Sequence, residues 1–393
     1  MVVCETRLGG RFAAAGTVAL AGCTDGSSDD GGSADGADTS NNGTPGTAGT
    51  EPPDTSGNNA RDGGNEQSTA DPADVAMPLA ESAVSLSYDL PALSADAVSG
   101  GPGKDVIPSI DDPTFDDTGW GGENLEPGDP VFGVTHNGVA KAYPQYILVY
   151  HEIVNDSFDG KNLAVTYCPL TGSALGFERG DVEFGVSGRL VNSNLIMFDR
   201  ATDSWWPQIH PVNPDGELQG QTLSEVRVTW TTWERWKTAY PKTKVLTEET
   251  GAVRRYGDDP YGAYNPRGGY YDQDSTLFGP RHESDQFHAK EVFIGARNSD
   301  GKVAFNKESL RDERLLETTV GDTPYLAAYH EALDSAWVYR NPEETSVEAV
   351  ENGYERADGT VDAADELPLE SVNAFDVFWF SWYGFYPETE VVS

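Results

Sequence analysis

An apolar run through Val131-Phe132-Gly133-Val134 gives way to Asn137-Gly138 and resumes from Val139 to Tyr143. This order predicts a strand, a tight turn and a strand, because an Asn-Gly pair between apolar runs is a strong short-range hairpin signal. The same order returns in Val292-Phe293-Ile294-Gly295, Asp300-Gly301 and Lys302 to Phe305. Two more echoes follow. Tyr167-Cys168 through Ser173-Ala174 to Arg179 is matched by Tyr329-His330 through Ser335-Ala336 to Arg340. Trp233, Trp236 and Tyr240-Pro241 are matched by Trp379, Trp382 and Tyr386-Pro387. Three echoes in one order point to a tandem duplication, with repeats at about 125–250 and 288–393 that set Cys168 opposite His330.

Within the first repeat, Tyr146, Ile147, Tyr150, Ile153 and Val154 recur at helical spacing behind Pro144, which suits a first helical position. The pattern predicts a helix with His151 beside its apolar stripe and Glu152 pointing outward. Leu163 to Tyr167 is rich in strand formers and delivers Cys168 at a strand end, where Pro169 stops pairing and Gly172 permits a turn. Val182 to Val186 and Leu195 to Phe198 read as further strands. Thr231 with Glu234 has the spacing of a capping box for an aromatic helix that stops at Pro241. Tyr256 to Pro280, rich in Gly, Asp and Tyr, reads as a long loop between the copies. The expected fold is α+β, mostly antiparallel β with a few helices, built from one duplicated unit.

The N-terminus is of another kind. Arg7 and Arg11 precede an apolar stretch, Phe12 to Gly22, too short to span a bilayer but suited to a signal peptide. It ends in Leu20-Ala21-Gly22-Cys23, a lipobox, so residues 1–23 are expected to be a signal segment with lipidation at Cys23. Residues 24–78 are almost devoid of aliphatic side chains and are expected to be a flexible acidic Gly/Ser/Thr spacer. The globular part then runs over 79–393. The expected location is the outer face of the cytoplasmic membrane, with the membrane reached through lipid rather than through a helix.

Charge narrows the partners. There are 26 Lys and Arg against 65 Asp and Glu, for a formal net charge of −39, which removes nucleic acid as a partner. With 37% hydrophobic and 10% aromatic residues the chain still has material for a core, so the acidity fits a protein kept soluble at high salt. Asn42-Gly43-Thr44 and Asn155-Asp156-Ser157 have the form of glycosylation sequons.

The chain has three cysteines. With Cys4 in the signal segment and Cys23 lipidated, Cys168 has no partner in its own chain. Such a thiol is either buried and inert, or it is a ligand, a nucleophile or a redox group. Cys168, His151, Asp199 and Arg200 form the candidate catalytic set. Ser173, Ser187, Asn192, Ser193 and Trp206 are candidate pocket residues, since polar side chains concentrated in a strand-rich stretch often line a pocket. His151 reads equally as a hydrogen-bonded core histidine. If the copies pack about a pseudo-two-fold axis, Cys168, His151 and His330 make a soft sulfur and nitrogen site suited to copper or zinc. Asp258-Asp259 is a candidate hard-oxygen cation site or a simple turn.

Several of these motifs occur together in one family. His151-Glu152-Ile153-Val154-Asn155, Val165-Thr166-Tyr167-Cys168-Pro169-Leu170-Thr171-Gly172-Ser173, Gly185-Val186-Ser187-Gly188, Asn192-Ser193, Asp199-Arg200, Tyr256-Gly257 with Asp259-Pro260-Tyr261, and Phe378-Trp379-Phe380 resemble the family known as domain of unknown function 3179. Some members of that family carry selenocysteine in this motif, and others a second cysteine at the position of Thr171. The resemblance therefore implies thiol or selenol chemistry, or soft-metal binding, at Cys168. Thr171 removes a Cys-x-x-Cys pair here. The expected function is thiol redox or soft-metal handling centred on Cys168, with an unidentified redox partner. The alternatives are a non-catalytic module that binds a small ligand or a surface partner, and a cysteine hydrolase with a histidine base.

Overall fold

The computed structural model describes residues 77–80, 84, 89–257 and 259–393. Cys4, Cys23, the signal segment, the Asn42 sequon, Asp258 and nearly all of the expected spacer lie outside the described residues.

Strands dominate, and nearly all pairings are antiparallel. The first half opens with the hairpin Pro130–His136 and Val139–Pro144, turned at Asn137-Gly138, whose φ values of 48° and 77° are those a two-residue turn of this kind demands. Strand Thr229–Thr232 flanks the hairpin antiparallel on one side, and Lys244–Leu246 lies parallel on the other. A second sheet runs Glu225–Val226, Ser173–Glu178, Lys161–Cys168, Ile153–Phe158. A third pairs Phe184–Val191 with Asn194–Asp199.

The later half repeats the first two sheets. Hairpin Val292–Asn298 and Gly301–Asn306 has Ala374–Phe378 antiparallel on one side and Glu390–Val392 parallel on the other. The companion sheet runs Glu370–Val372, Ser335–Arg340, Thr323–His330, Leu315–Val320. Local packing agrees too. Trp236 and Trp382 each lie against a hairpin glycine, Gly133 and Gly295, where an added Cβ would come within 2.1 and 2.3 Å of the indole. Each indole N–H donates to a threonine seven residues on, Thr243 and Thr389.

Two expected helices need correction. The stretch from Tyr146 to Val154 is one short helix, Gln145–Leu148, with Pro144 just before it, followed by a turn and the strand Ile153–Phe158. Helix Trp233–Ala239 starts after Thr232, so Thr231 belongs to the preceding strand and its hydroxyl caps nothing. Asn155 is buried, with its Nδ2 donating to Asp111 and to the Phe184 carbonyl, so the folded protein offers no acceptor amide there. No helix among the described residues is long and apolar enough to cross a membrane.

The two halves are joined through buried charge. Arg297, its side chain fully buried in the later hairpin, makes a two-pronged contact with Glu225, at 2.6 and 3.3 Å. Arg227 reaches across to Ser335 Oγ and to the carbonyls of Ala336 and Ala374, with its guanidinium 3.8 Å from the Trp337 ring centroid.

Candidate functional site

Strand Lys161–Cys168 and strand Ser173–Glu178 form a hairpin in which Cys168 faces Ser173 across the last rung. Pro169 to Gly172 close it. Gly172 is held at φ 54°, and the Phe378 ring lies 2.6 Å from where a Cβ would sit, so both conformation and space require glycine there. Below the turn lies a buried polar lattice. Thr171 Oγ1 pairs with Ser173 Oγ at 2.8 Å, Ser173 donates to Gln208, Asn194 donates to Thr171 and Gln208, and Gln208 donates to Thr166. The Phe378 N–H donates to the Thr171 carbonyl at 3.0 Å, tying the cysteine turn to the later half.

Cys168 is 1% exposed, and its S–H points to the Ser193 carbonyl at 3.8 Å. Burial, then the negative charge of Glu152, push its thiol up to about 11. Against them, the polar groups of Thr171 and the Leu195 backbone pull it down.

Glu152 is the acid whose charge that thiol feels. It closes the turn that follows the short helix, in the left-handed region at φ 59°, its N–H donating to the Leu148 carbonyl and its carbonyl accepting from the Tyr167 N–H at 2.8 Å. The backbone bond to Tyr167 sets Glu152 beside the cysteine strand. Part of the residue reaches a narrow cleft that it lines with Tyr150, Leu170, Arg189 and Tyr261, but burial raises its carboxyl to about 8. Among the described residues that carboxyl has no hydrogen-bond or ion-pair partner, although its charge is felt by Cys168 and Tyr261. The cleft holds about 40 Å³, room for a few waters at about 10–15 Å³ each. The loop expected between the copies closes the site: Tyr261 lines the cleft, and the Tyr270 hydroxyl donates to the Leu170 carbonyl at 2.8 Å.

The later half has the same backbone arrangement with other side chains. Arg314, at φ 65°, caps its helix through Leu310, its carbonyl accepts from Tyr329, and His330 faces Ser335 across the last rung. Where the first half places an acid and a thiol, the second places a guanidinium and an imidazole.

A family model described as "Protein of unknown function (DUF3179)" matches residues 104–389. The chain belongs to the DUF3179 family. No curated protein and no solved structure matches it. The DUF3179 match covers Glu152, Cys168 and every strand of the two pairs of matching sheets except Glu390–Val392.

The other expected site residues of this DUF3179 chain lie elsewhere or are engaged internally. His151 is fully buried, one ring nitrogen 2.7 Å from the Pro108 carbonyl and the other 2.6 Å from the Tyr256 hydroxyl, and burial lowers it to about 4. It is a core histidine held neutral. His330 accepts from the Leu333 N–H and packs on Trp337. The trio of Cys168, His151 and His330 is not assembled, and the described residues contain no group of three or more His, Cys, Asp or Glu able to hold a metal ion. Asp199 accepts from Thr202 and from the Trp206 indole, while Arg200 is a surface ion-pair hub with Asp105 and Asp111. Ser187 donates to the Ile196 carbonyl, Asn192 to Ser381, and Ser193 to Phe278. These polar side chains satisfy the protein's own backbone, and none of them lines the cleft beside Glu152. Asp259 accepts from Gln145 and Tyr271, which braces the loop rather than a cation.

Glu152, Thr171, Leu195, Tyr261 and Tyr270 are the site residues that sequence reasoning missed. Glu152 had a signal, its place directly after His151 in the family motif. Reading the segment as a longer helix turned it outward.

Proposed function

We propose that the protein is a lipid-anchored extracytoplasmic thiol enzyme in which Cys168 is the reacting atom and Glu152 receives its proton. The observation that carries this reading is the half-buried, unpartnered carboxyl of Glu152 set beside a buried thiol that feels its charge. Because the two groups interact, they titrate as a pair: two protons at low pH, one proton shared above about 8, and none only at strongly alkaline pH. Between those limits a thiolate is accessible without lowering the thiol's own value.

The cleft admits only a small reactant, so the co-reactant is a small hydroperoxide. The sulfur attacks one peroxide oxygen, and an S–O bond forms as the O–O bond breaks. Cys168 is oxidised to sulfenic acid and the other oxygen leaves reduced, as water or alcohol, with the proton that passed from Sγ to Glu152. The sulfur does not itself line the cleft, so the reactant enters past Leu170. Among the described residues no second cysteine is placed to resolve the product, and reduction falls to an external thiol.

The test is sulfenic-acid trapping with dimedone after hydrogen peroxide treatment, read by mass spectrometry of the peptide containing Cys168. Labelling is expected to be low at pH 6 and severalfold higher at pH 9. No labelling at either pH in folded protein overturns the reading. Two further parts of the account are proposals of the same standing. Anchoring at Cys23 would hold this site outside the membrane. Tandem duplication, supported by the matching strand orders and the paired tryptophan–glycine contacts, would make Glu152 and Cys168 the divergent counterparts of Arg314 and His330.

A further inference from the structure

A second cavity, of about 480 Å³, opens where strand Thr229–Thr232, the loop carrying Tyr264 and Arg267, and the start of helix Lys307–Glu313 meet. It shares no lining residue with the cleft beside Glu152. Its size is that of a small-molecule site. The charges on its floor are already neutralised: Lys307 contacts Asp376 at 2.5 Å, and Arg311 contacts Asp334 at 2.7 Å. Among the described residues Arg267 and Glu291, which also line it, are not in ion pairs. Arg267 donates to the Lys290 carbonyl at 2.8 Å, and no carboxylate lies within ion-pair distance of it among the described residues. Glu291 accepts from Asn306 and has no cation within that distance among the described residues.

We infer that this cavity binds a small zwitterion of the amino-acid class. Arg267 and Glu291 are neighbours in space, since Arg267 holds the carbonyl of the residue before Glu291, yet they do not pair with each other. A cation and an anion held apart on one wall suit a ligand that carries both charges. Its carboxylate would take the free guanidinium donors of Arg267, and its ammonium group would donate to Glu291. A simple anion would leave Glu291 facing a like charge, and a simple cation would leave Arg267 unused. This binding stands independently of the chemistry at Cys168.

Thermal melts of the full chain in high salt, with each of the common L-amino acids in turn and with acetate and methylamine as single-charge probes, test the inference. At least one amino acid should raise the melting temperature, and neither single-charge probe should do so. Arg267→Gln and Glu291→Gln, which leave the Asn306 contact of Glu291 available, should melt as the parent does without ligand and lose the shift. A panel in which no amino acid shifts the melt, a shift of equal size with acetate or methylamine, or a shift that survives both Gln substitutions would overturn the inference.

Discussion

Glu152→Gln is expected to slow native-state alkylation of Cys168 at pH 8 to 9 by about tenfold or more, against the ~10²–10⁴-fold that a fully effective positioned proton acceptor contributes. Two effects oppose one another in this variant. Removing the carboxylate removes the negative charge that helps hold the thiol near 11, which by itself would make Cys168 more acidic and faster to react. Removing it also deletes the group that takes the proton. If Glu152 acts only through its field, the variant reacts faster at every pH. If it accepts the proton, the rise near pH 8 disappears, and reaction begins only where the thiol ionises alone. The direction of the change therefore decides between the two roles.

The same substitution has a stability signature with a definite sign. A carboxyl raised from 4.5 to about 8 by burial keeps its proton in the folded state while the unfolded chain has lost it. Its contribution is therefore full below about pH 4.5 and declines as pH rises towards 8. Glutamine does not titrate, so Glu152→Gln should match the parent near pH 5. At pH 9 it should be more stable by about 2–3 kcal/mol, a value set below the full shift because the residue reaches the cleft surface. Urea melts at the two pH values read this directly, and equal gains at both would contradict the assignment.

Glu225→Ala carries the largest expected cost in stability. Arg297 has a fully buried side chain, and Glu225 meets it through both carboxylate oxygens. Truncating the acid strands a guanidinium in the interior, a loss of about 3–5 kcal/mol and a fall in melting temperature on the order of 10 °C. Restoring neutrality with Glu225→Leu and Arg297→Met together should recover most of it, since an apolar pair of similar volume carries no desolvation penalty. A single variant within about 1 kcal/mol of the parent would mean that the pair is not a structural link between the halves.

The hairpins were legible because turn chemistry is local: Asn137-Gly138 specifies its own geometry, and the flanking residues supply strand propensity. The segment from Tyr146 to Val154 was not. One helical turn followed by a strand places Ile147, Tyr150, Ile153 and Val154 at the spacing of a single longer helix, and the left-handed residue between them is a glutamate rather than the glycine that would advertise it. Cys168 could be placed at a strand end, but its Glu152 neighbour depends on a cross-strand bond to Tyr167 that no local pattern encodes. The polar run from Ser187 to Asn194 was misread for a different reason. A buried hydroxyl or amide must have a partner, but composition does not say whether that partner is a ligand or the chain's own carbonyls. Arg267 and Glu291 are far apart in the sequence and come together at one cavity only in the folded protein.

The central claim is that Cys168 and Glu152 share a proton. It is tested most directly by the rate of iodoacetamide modification of Cys168 in the folded, unsubstituted protein as a function of pH, with Cys168→Ser as the blank. The account predicts a first rise with an apparent midpoint near 8, the value of the carboxyl, well before the thiol's own value of about 11. A thiol inert until the protein unfolds, or a single rise near 11 with no inflection near 8, would contradict it.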